Sequence, residues 1–145
     1  MRRLVQEELA GMMQKEIVSP TKTIGPYSPA VRIGGFLFLS GQIGMDPATG
    51  TLVSTSFEAE VEQALRNVLA ILRASGYDSS HVVSATVFLK NMNDFEKMNS
   101  VYARFFPVGA YPARTTVGVS ELPRGANVEI AAVAYKPLQR RPANE

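Results

Sequence analysis

The sequence predicts an α+β domain, with a mixed sheet of about six strands and two helices packed on one face. Three observations point there. Six short β-branched or aromatic runs are separated by Gly, Pro and Asn/Asp turns. Two longer stretches carry apolar residues at helical spacing. The order along the chain is strands, helix, strand, helix and two strands. A length of 145 residues suits one domain, here bounded at 15–136, with an arm at 1–14 and a polar tail at 137–145.

Each element has its own signal. In the arm, Leu4, Val5, Leu9, Met12 and Met13 recur at roughly helical spacing, and Gly11 interrupts them. Lys15 to Val18 reads as a short strand stopped by Pro20. Ile24-Gly25-Pro26-Tyr27-Ser28-Pro29 reads as a loop, because two prolines remove ladder donors. Val31–Ile33 and Phe36–Ser40 form a hairpin around Gly34-Gly35, a pair that tolerates the positive φ of a two-residue turn. Gly41 to Gly50 reads as a loop.

Thr55 and Glu58 fit a capping box, and Glu58, Glu60 and Glu62 crowd the positive first turns of the helix that follows. Val61, Leu65, Val68, Leu69 and Leu72 make its inner stripe, and Gly76 stops it. Val82–Leu89 is apolar on both faces, as a buried strand is. Asn93 or Asp94 caps a second helix with an inner stripe of Phe95, Met98, Val101, Tyr102 and Phe105, ended by Pro107, Gly109 and Pro112. Thr115–Val119 is a strand, Leu122–Gly125 a turn, and Val128–Tyr135 the last strand.

Two helices cover one sheet face only. Val82–Leu89 and Val128–Tyr135 are apolar on both, so an oligomer with its sheets packed inward is expected.

Composition narrows the chemistry. Cysteine is absent and histidine occurs once, which leaves no disulfide scaffold, thiolate ligand, cysteine nucleophile or multi-histidine zinc site. The formal net charge is +2, and no basic stripe interleaved with aromatics suggests nucleic acid. No apolar run reaches the roughly 18 residues of a membrane span. Glu7 and Glu8 directly after Arg2 and Arg3 weaken a targeting reading. The cytoplasm is the expected compartment, with a mitochondrial or other organellar location as the alternative.

Few residues remain for chemistry. Arg114 opens a strand whose alternation puts it on one side with Thr116 and Gly118. A guanidinium beside a hydroxyl and bare backbone suits a carboxylate; a surface arginine at a strand end fits as well. Glu129 is the only charge in the strand Val128–Ala134. A carboxylate there needs a partner or ordered water, unless it faces solvent at the strand end. Ser40-Gly41-Gln42 ends an apolar strand where glycine admits close approach. Tyr27 sits in the Pro-flanked loop and Asn99 in mid-helix. His81 reads as a solvated loop histidine.

Four blocks carry a resemblance: Ile24-Gly25-Pro26-Tyr27-Ser28; Ser40-Gly41-Gln42-Ile43; Asn93-Asp94-Phe95-Glu96-Lys97-Met98-Asn99; and Pro112-Ala113-Arg114 followed by Leu122-Pro123 and Val128-Glu129-Ile130. In that order and spacing, from about Ile17 to Ala134, they resemble the RidA subgroup of the reactive intermediate deaminase family. The resemblance implies a chorismate-mutase-like fold and a homotrimer with a central barrel and sites between subunits. It implies hydrolysis of 2-imino acids and their enamines (2-aminoacrylate, 2-iminopropanoate, 2-iminobutanoate) to 2-oxo acids and ammonia. Such compounds leak from pyridoxal-phosphate dehydratases. No metal and no cofactor are implied.

By position, Arg114 matches the arginine that holds the substrate carboxylate, and Glu129 the carboxylate that positions water. Tyr27, Gly41 and Asn99 match pocket residues, and Ser40 adjoins them. Thr116 stands where some members carry cysteine, which argues against thiol redox switching there. Two other activities compete: an endoribonuclease acting on single-stranded RNA, and a non-catalytic trimer binding metabolites or client proteins.

Overall fold

In the computed structural model, which describes residues 2–12 and 14–138, helix α1 (Arg2–Met12) precedes the first strand, β1 (Glu16–Val18). Then follow β2 (Ala30–Ile33), β3 (Phe36–Gln42), a small ladder of β4 (Met45–Asp46) with β5 (Thr51–Leu52), and α2 (Phe57–Ala74). The chain continues through β6 (Val82–Leu89), α3 (Phe95–Tyr102), β7 (Ala113–Gly118) and β8 (Val128–Tyr135). The six-stranded sheet runs β1-β2-β3-β8-β6-β7. Only β6 and β7 are parallel, joined through α3; the other pairs are antiparallel.

Most expected elements stand where they were read, with local differences. The arm is helical, and its Leu4, Val5 and Leu9 are exposed; Met13 and residues 139–145 lie outside the described residues. In the hairpin turn only Gly34 takes a positive φ, 57°. Gly35 is needed for a different reason: a Cβ there would strike the Lys136 carbonyl. The Gly41–Gly50 loop is not structureless, because Met45 and Asp46 pair with Leu52 and Thr51.

The cap of α2 is Ser56, not Thr55. Its hydroxyl accepts the Ala59 N–H at 3.0 Å. Neither Asn93 nor Asp94 caps the second helix through its side chain. Asp94 stands at the N-cap position of α3, while Asn91 caps the short 3₁₀ turn that leads into it, its side chain accepting from Asn93 N. His81 is engaged, its Nδ1 accepting the Asp78 N–H at 2.9 Å with its ring edge-on to Tyr77.

The core lies between one sheet face and the helices. Leu37 and Leu39 of β3, Ala85, Val87 and Leu89 of β6, and Ile130, Ala132 and Ala134 of β8 are buried there. Val61, Leu65, Val68 and Leu72 of α2 and Met98, Val101 and Tyr102 of α3 meet them. Full burial of one such aliphatic side chain contributes about 1.5–3 kcal/mol.

Glu60 departs from the first-turn surface role expected of it. It is 2% exposed, and its carboxylate accepts from Asn127 N at 2.7 Å and Asn127 Nδ2 at 2.8 Å. This clamp ties α2 to the residue that precedes β8. Gly44 makes room for it, since a Cβ there would lie 2.5 Å from the Glu60 carbonyl oxygen.

Among the described residues no helix covers the opposite sheet face. Phe36, Phe38, Val117 and Tyr135 are exposed there, with the Phe36 and Tyr135 rings in tilted contact at 4.8 Å. No described helix is long and apolar enough to cross a membrane.

Candidate active site

A cleft of roughly 410 Å³ opens between α3 and the start of β7, lined by Asn99, Tyr102, Ala103, Tyr111, Pro112 and Arg114. The local sequence builds it. Pro107 and Gly109, the latter at φ 79°, end the helical run, and Pro112 delivers the chain directly into β7. Arg114 therefore stands at the strand's second position. Its register partner is Ala85 of β6, which is buried against the helices, so Arg114 points to the helix side of the sheet.

The guanidinium rests on apolar and aromatic surface. Its Cζ lies 4.7 Å from the Tyr102 ring centroid and 5.7 Å from that of Phe95, and Nη1 lies 4.0 Å from Met98 Sδ. Among the described residues it has no carboxylate partner. Three buried oxygens on this side lack a hydrogen-bond partner: Asn99 Oδ1, Tyr102 OH and Thr116 Oγ1. Thr116 faces the same way as Arg114, opposite Val87. Burial pushes the Tyr102 phenol above its ordinary pKa, and the Arg114 charge offsets this only in part.

Glu129 lies elsewhere. Its register partner is Phe88, on the uncovered face. It has no ion-pair partner among the described residues, and desolvation raises its pKa. It leans over Gly41, where an added Cβ would sit 2.8 Å from Glu129 Cδ. A bulge helps to set this contact: Leu39 pairs with Ala132 but Gln42 with Ile130, leaving β3 one residue longer than its partner.

Ser40, inside that bulge, donates its hydroxyl to the Ser28 carbonyl at 2.6 Å, while its N–H meets the Pro29 carbonyl at 2.9 Å. These bonds fasten the loop that bears Tyr27, a residue that is 46% exposed and packs its ring over Gly25.

The structure thus gathers Arg114 and Asn99 in one cleft, with Thr116 on the same face. It gathers Glu129 and Gly41 on the other, with Ser40 and the Tyr27 loop next to them. Tyr102 and Tyr111 line the cleft without having been singled out for chemistry. Tyr102 was hidden by its place in the inner stripe of a helix, though it lies one turn beyond Asn99. Among the described residues no cluster of His, Asp and Glu could hold a metal ion.

Residues 17–136 match the Endoribonuclease L-PSP family. The chain belongs to the Rid/YjgF/L-PSP family. It is 45% identical over 125 residues to the 2-iminobutanoate/2-iminopropanoate deaminase of Mus musculus, covering 84% of this chain and 92% of that one. A solved Thermotoga maritima structure, 44% identical, superposes with a TM-score of 0.81 over 85% of this chain and 98% of the other. A Yersinia pestis protein of the conserved Rid family gives 0.80 at 39% identity, over 85% and 100%. The six-stranded mixed sheet with its helices is accordingly the Rid fold, and the family reading of the four sequence blocks holds.

Proposed function

We propose that this Rid protein hydrolyses 2-imino acids, with 2-aminoacrylate entering as its imine tautomer, to 2-oxo acids and ammonia without a cofactor. The observation that carries this reading is the Arg114 guanidinium, held in a cleft by aromatic faces with no carboxylate on it among the described residues. An unneutralised fork of N–H donors suits a small carboxylate. The deaminase relative from mouse supports the same substrate class.

In this mechanism Arg114 orients the carboxylate, with Asn99, Thr116 and Tyr27 completing the pocket. Water adds to C2 of the protonated imine, forming a C–O bond while the C=N π electrons move to nitrogen. Glu129 orders that water and takes its proton. The carbinolamine nitrogen then takes that proton back from Glu129, its C–N bond breaks to release ammonia, and the hydroxyl proton passes to this ammonia as the oxygen becomes the ketone, leaving ammonium and the Glu129 carboxylate. An imine is already electrophilic, so orientation and a placed water suffice. Gly41 admits Glu129 to its position, and Ser40 holds the Tyr27 loop.

One chain does not join Arg114 to Glu129, because they face opposite sides of the sheet. The reading therefore includes a homotrimer: the uncovered faces turn inward, and the site forms where Glu129 of one copy meets Arg114 of the next. The cytoplasm, where dehydratase imines arise, is the location that goes with it.

The test generates 2-aminoacrylate with a serine or threonine dehydratase and follows 2-oxo acid formation. Acceleration by the protein, lost in Arg114→Ala, is the expected result. Cleavage of single-stranded RNA without any effect on imine decay would overturn the reading in favour of a ribonuclease.

A further inference from the structure

Tyr102 touches the Arg114 guanidinium more closely than any other ring, at 4.7 Å against 5.7 Å for Phe95. With no carboxylate among the described residues to steady it, the cation is seated on this aromatic face and on Met98. The kind of seat matters. A carboxylate partner would occupy the guanidinium's N–H edges, whereas a ring face attracts the cation and leaves those edges for an incoming anion.

The hydroxyl of Tyr102 is a separate puzzle. The residue is 4% exposed and its OH has no hydrogen-bond partner. A buried, unbonded hydroxyl destabilises a fold, and phenylalanine would fill the space without that penalty. Tyr102 nevertheless lines the cleft that holds Arg114 and Asn99. A phenol is protonated at neutral pH and burial raises its pKa further, so the group is a donor. A carboxylate offers about four lone-pair positions, and a two-pronged arginine contact uses only two of them.

We infer that Tyr102 has two tasks: its ring positions Arg114, and its hydroxyl donates a hydrogen bond to the carboxylate that Arg114 holds. This rests on Arg114 being the carboxylate seat of the proposed reaction.

The experiment uses the full chain, with 2-oxobutanoate as an unreactive carboxylate probe for calorimetric titration, alongside imine kinetics. Tyr102→Phe keeps the ring and removes the hydroxyl. It should weaken 2-oxobutanoate binding and raise KM by about tenfold, with kcat within about twofold and Tm no lower than the parent's. Tyr102→Leu removes the platform too, and should approach the weakening seen in Arg114→Ala. A purely structural Tyr102 would lower Tm and leave affinity unchanged in the folded Phe variant.

Equal 2-oxobutanoate affinity in parent and Tyr102→Phe overturns the inference, as does a parent that binds no 2-oxo acid. A parent that binds 2-oxobutanoate but hydrolyses no imine overturns the deaminase reading alone, and the binding arm still decides the role of Tyr102.

Discussion

Arg114 and Glu129 stand on opposite faces of one sheet: Arg114 is in register with the buried Ala85, and Glu129 with Phe88 on the uncovered side. On the reading proposed above, a single chain cannot bring a substrate held by the first to a water ordered by the second. The consequence is testable by mixing. Arg114→Ala and Glu129→Gln should each be inactive alone. Co-expressed, they should recover activity, because about a quarter of randomly assembled intersubunit sites keep both residues. No recovery in confirmed mixed oligomers, assayed by 2-oxo acid release, would place both groups in one subunit's site.

Arg114→Ala should lower kcat/KM by about 100-fold or more, roughly 3 kcal/mol, since charge-assisted hydrogen bonds contribute about 1.5–3 kcal/mol each. Arg114→Lys should recover little, because an ammonium lacks the planar fork. Steady-state kinetics on iminopropanoate checks both.

Glu129 gives a prediction with a sign. Desolvation raises its pKa above the ordinary 4.5, so the folded state holds the proton more tightly than the unfolded chain. The stability this contributes is present at pH below the unfolded carboxylate value and is lost as pH rises through the folded value. Glu129→Gln should therefore melt no lower than the parent at about pH 7, with the difference closing toward about pH 4. Turnover should vanish. The acid limb of the parent's kcat/KM profile should lie above 4.5, since the water-ordering form is the carboxylate.

Gly41→Ala tests the contact beneath Glu129. The new methyl would lie 2.8 Å from the Glu129 carboxyl carbon and displace it. A displacement of about an ångström at a reacting group costs on the order of 10–100-fold in kcat. Binding of 2-oxobutanoate should weaken less than turnover falls, because the added methyl displaces Glu129 and does not touch the Arg114 guanidinium of the same chain.

Glu60→Ala should destabilise by about 2–4 kcal/mol, since it strips partners from Asn127 N and Nδ2 inside the protein. Denaturant unfolding measures this. Purified, folded protein should retain its kcat, because Glu60 touches neither cleft nor Glu129.

What the sequence revealed follows the range of each interaction. The bounds of Val82–Leu89 and Val128–Tyr135 are legible because strands apolar on both faces end abruptly at turns. The cap of α2 is ambiguous in the sequence because Thr55 and Ser56 both offer a hydroxyl, and only backbone geometry chooses Ser56. The β4–β5 ladder is too short to show a period. Glu60 looked like a first-turn charge because its partner lies 67 residues away.

The same holds for the site. Arg114 and Glu129 stand out by charge in short strands. That Glu129 rests on Gly41, and that Arg114 faces the other way, depends on ladder register between distant strands. Tyr102 is invisible as a site residue until its hydroxyl is seen to lack a partner.

The last strand in the chain is not last in the sheet. β8 lies between β3 and β6, so the N-terminal hairpin and the β6–β7 pair have no ladder between them until β8 enters. A ribosome-bound chain that has not yet released residues 128–135 holds two half-sheets with no ladder between them. The strand that closes this gap is also the one that bears Glu129. Closing the sheet and delivering the carboxylate are thus one event in synthesis, and a chain stalled short of β8 has neither.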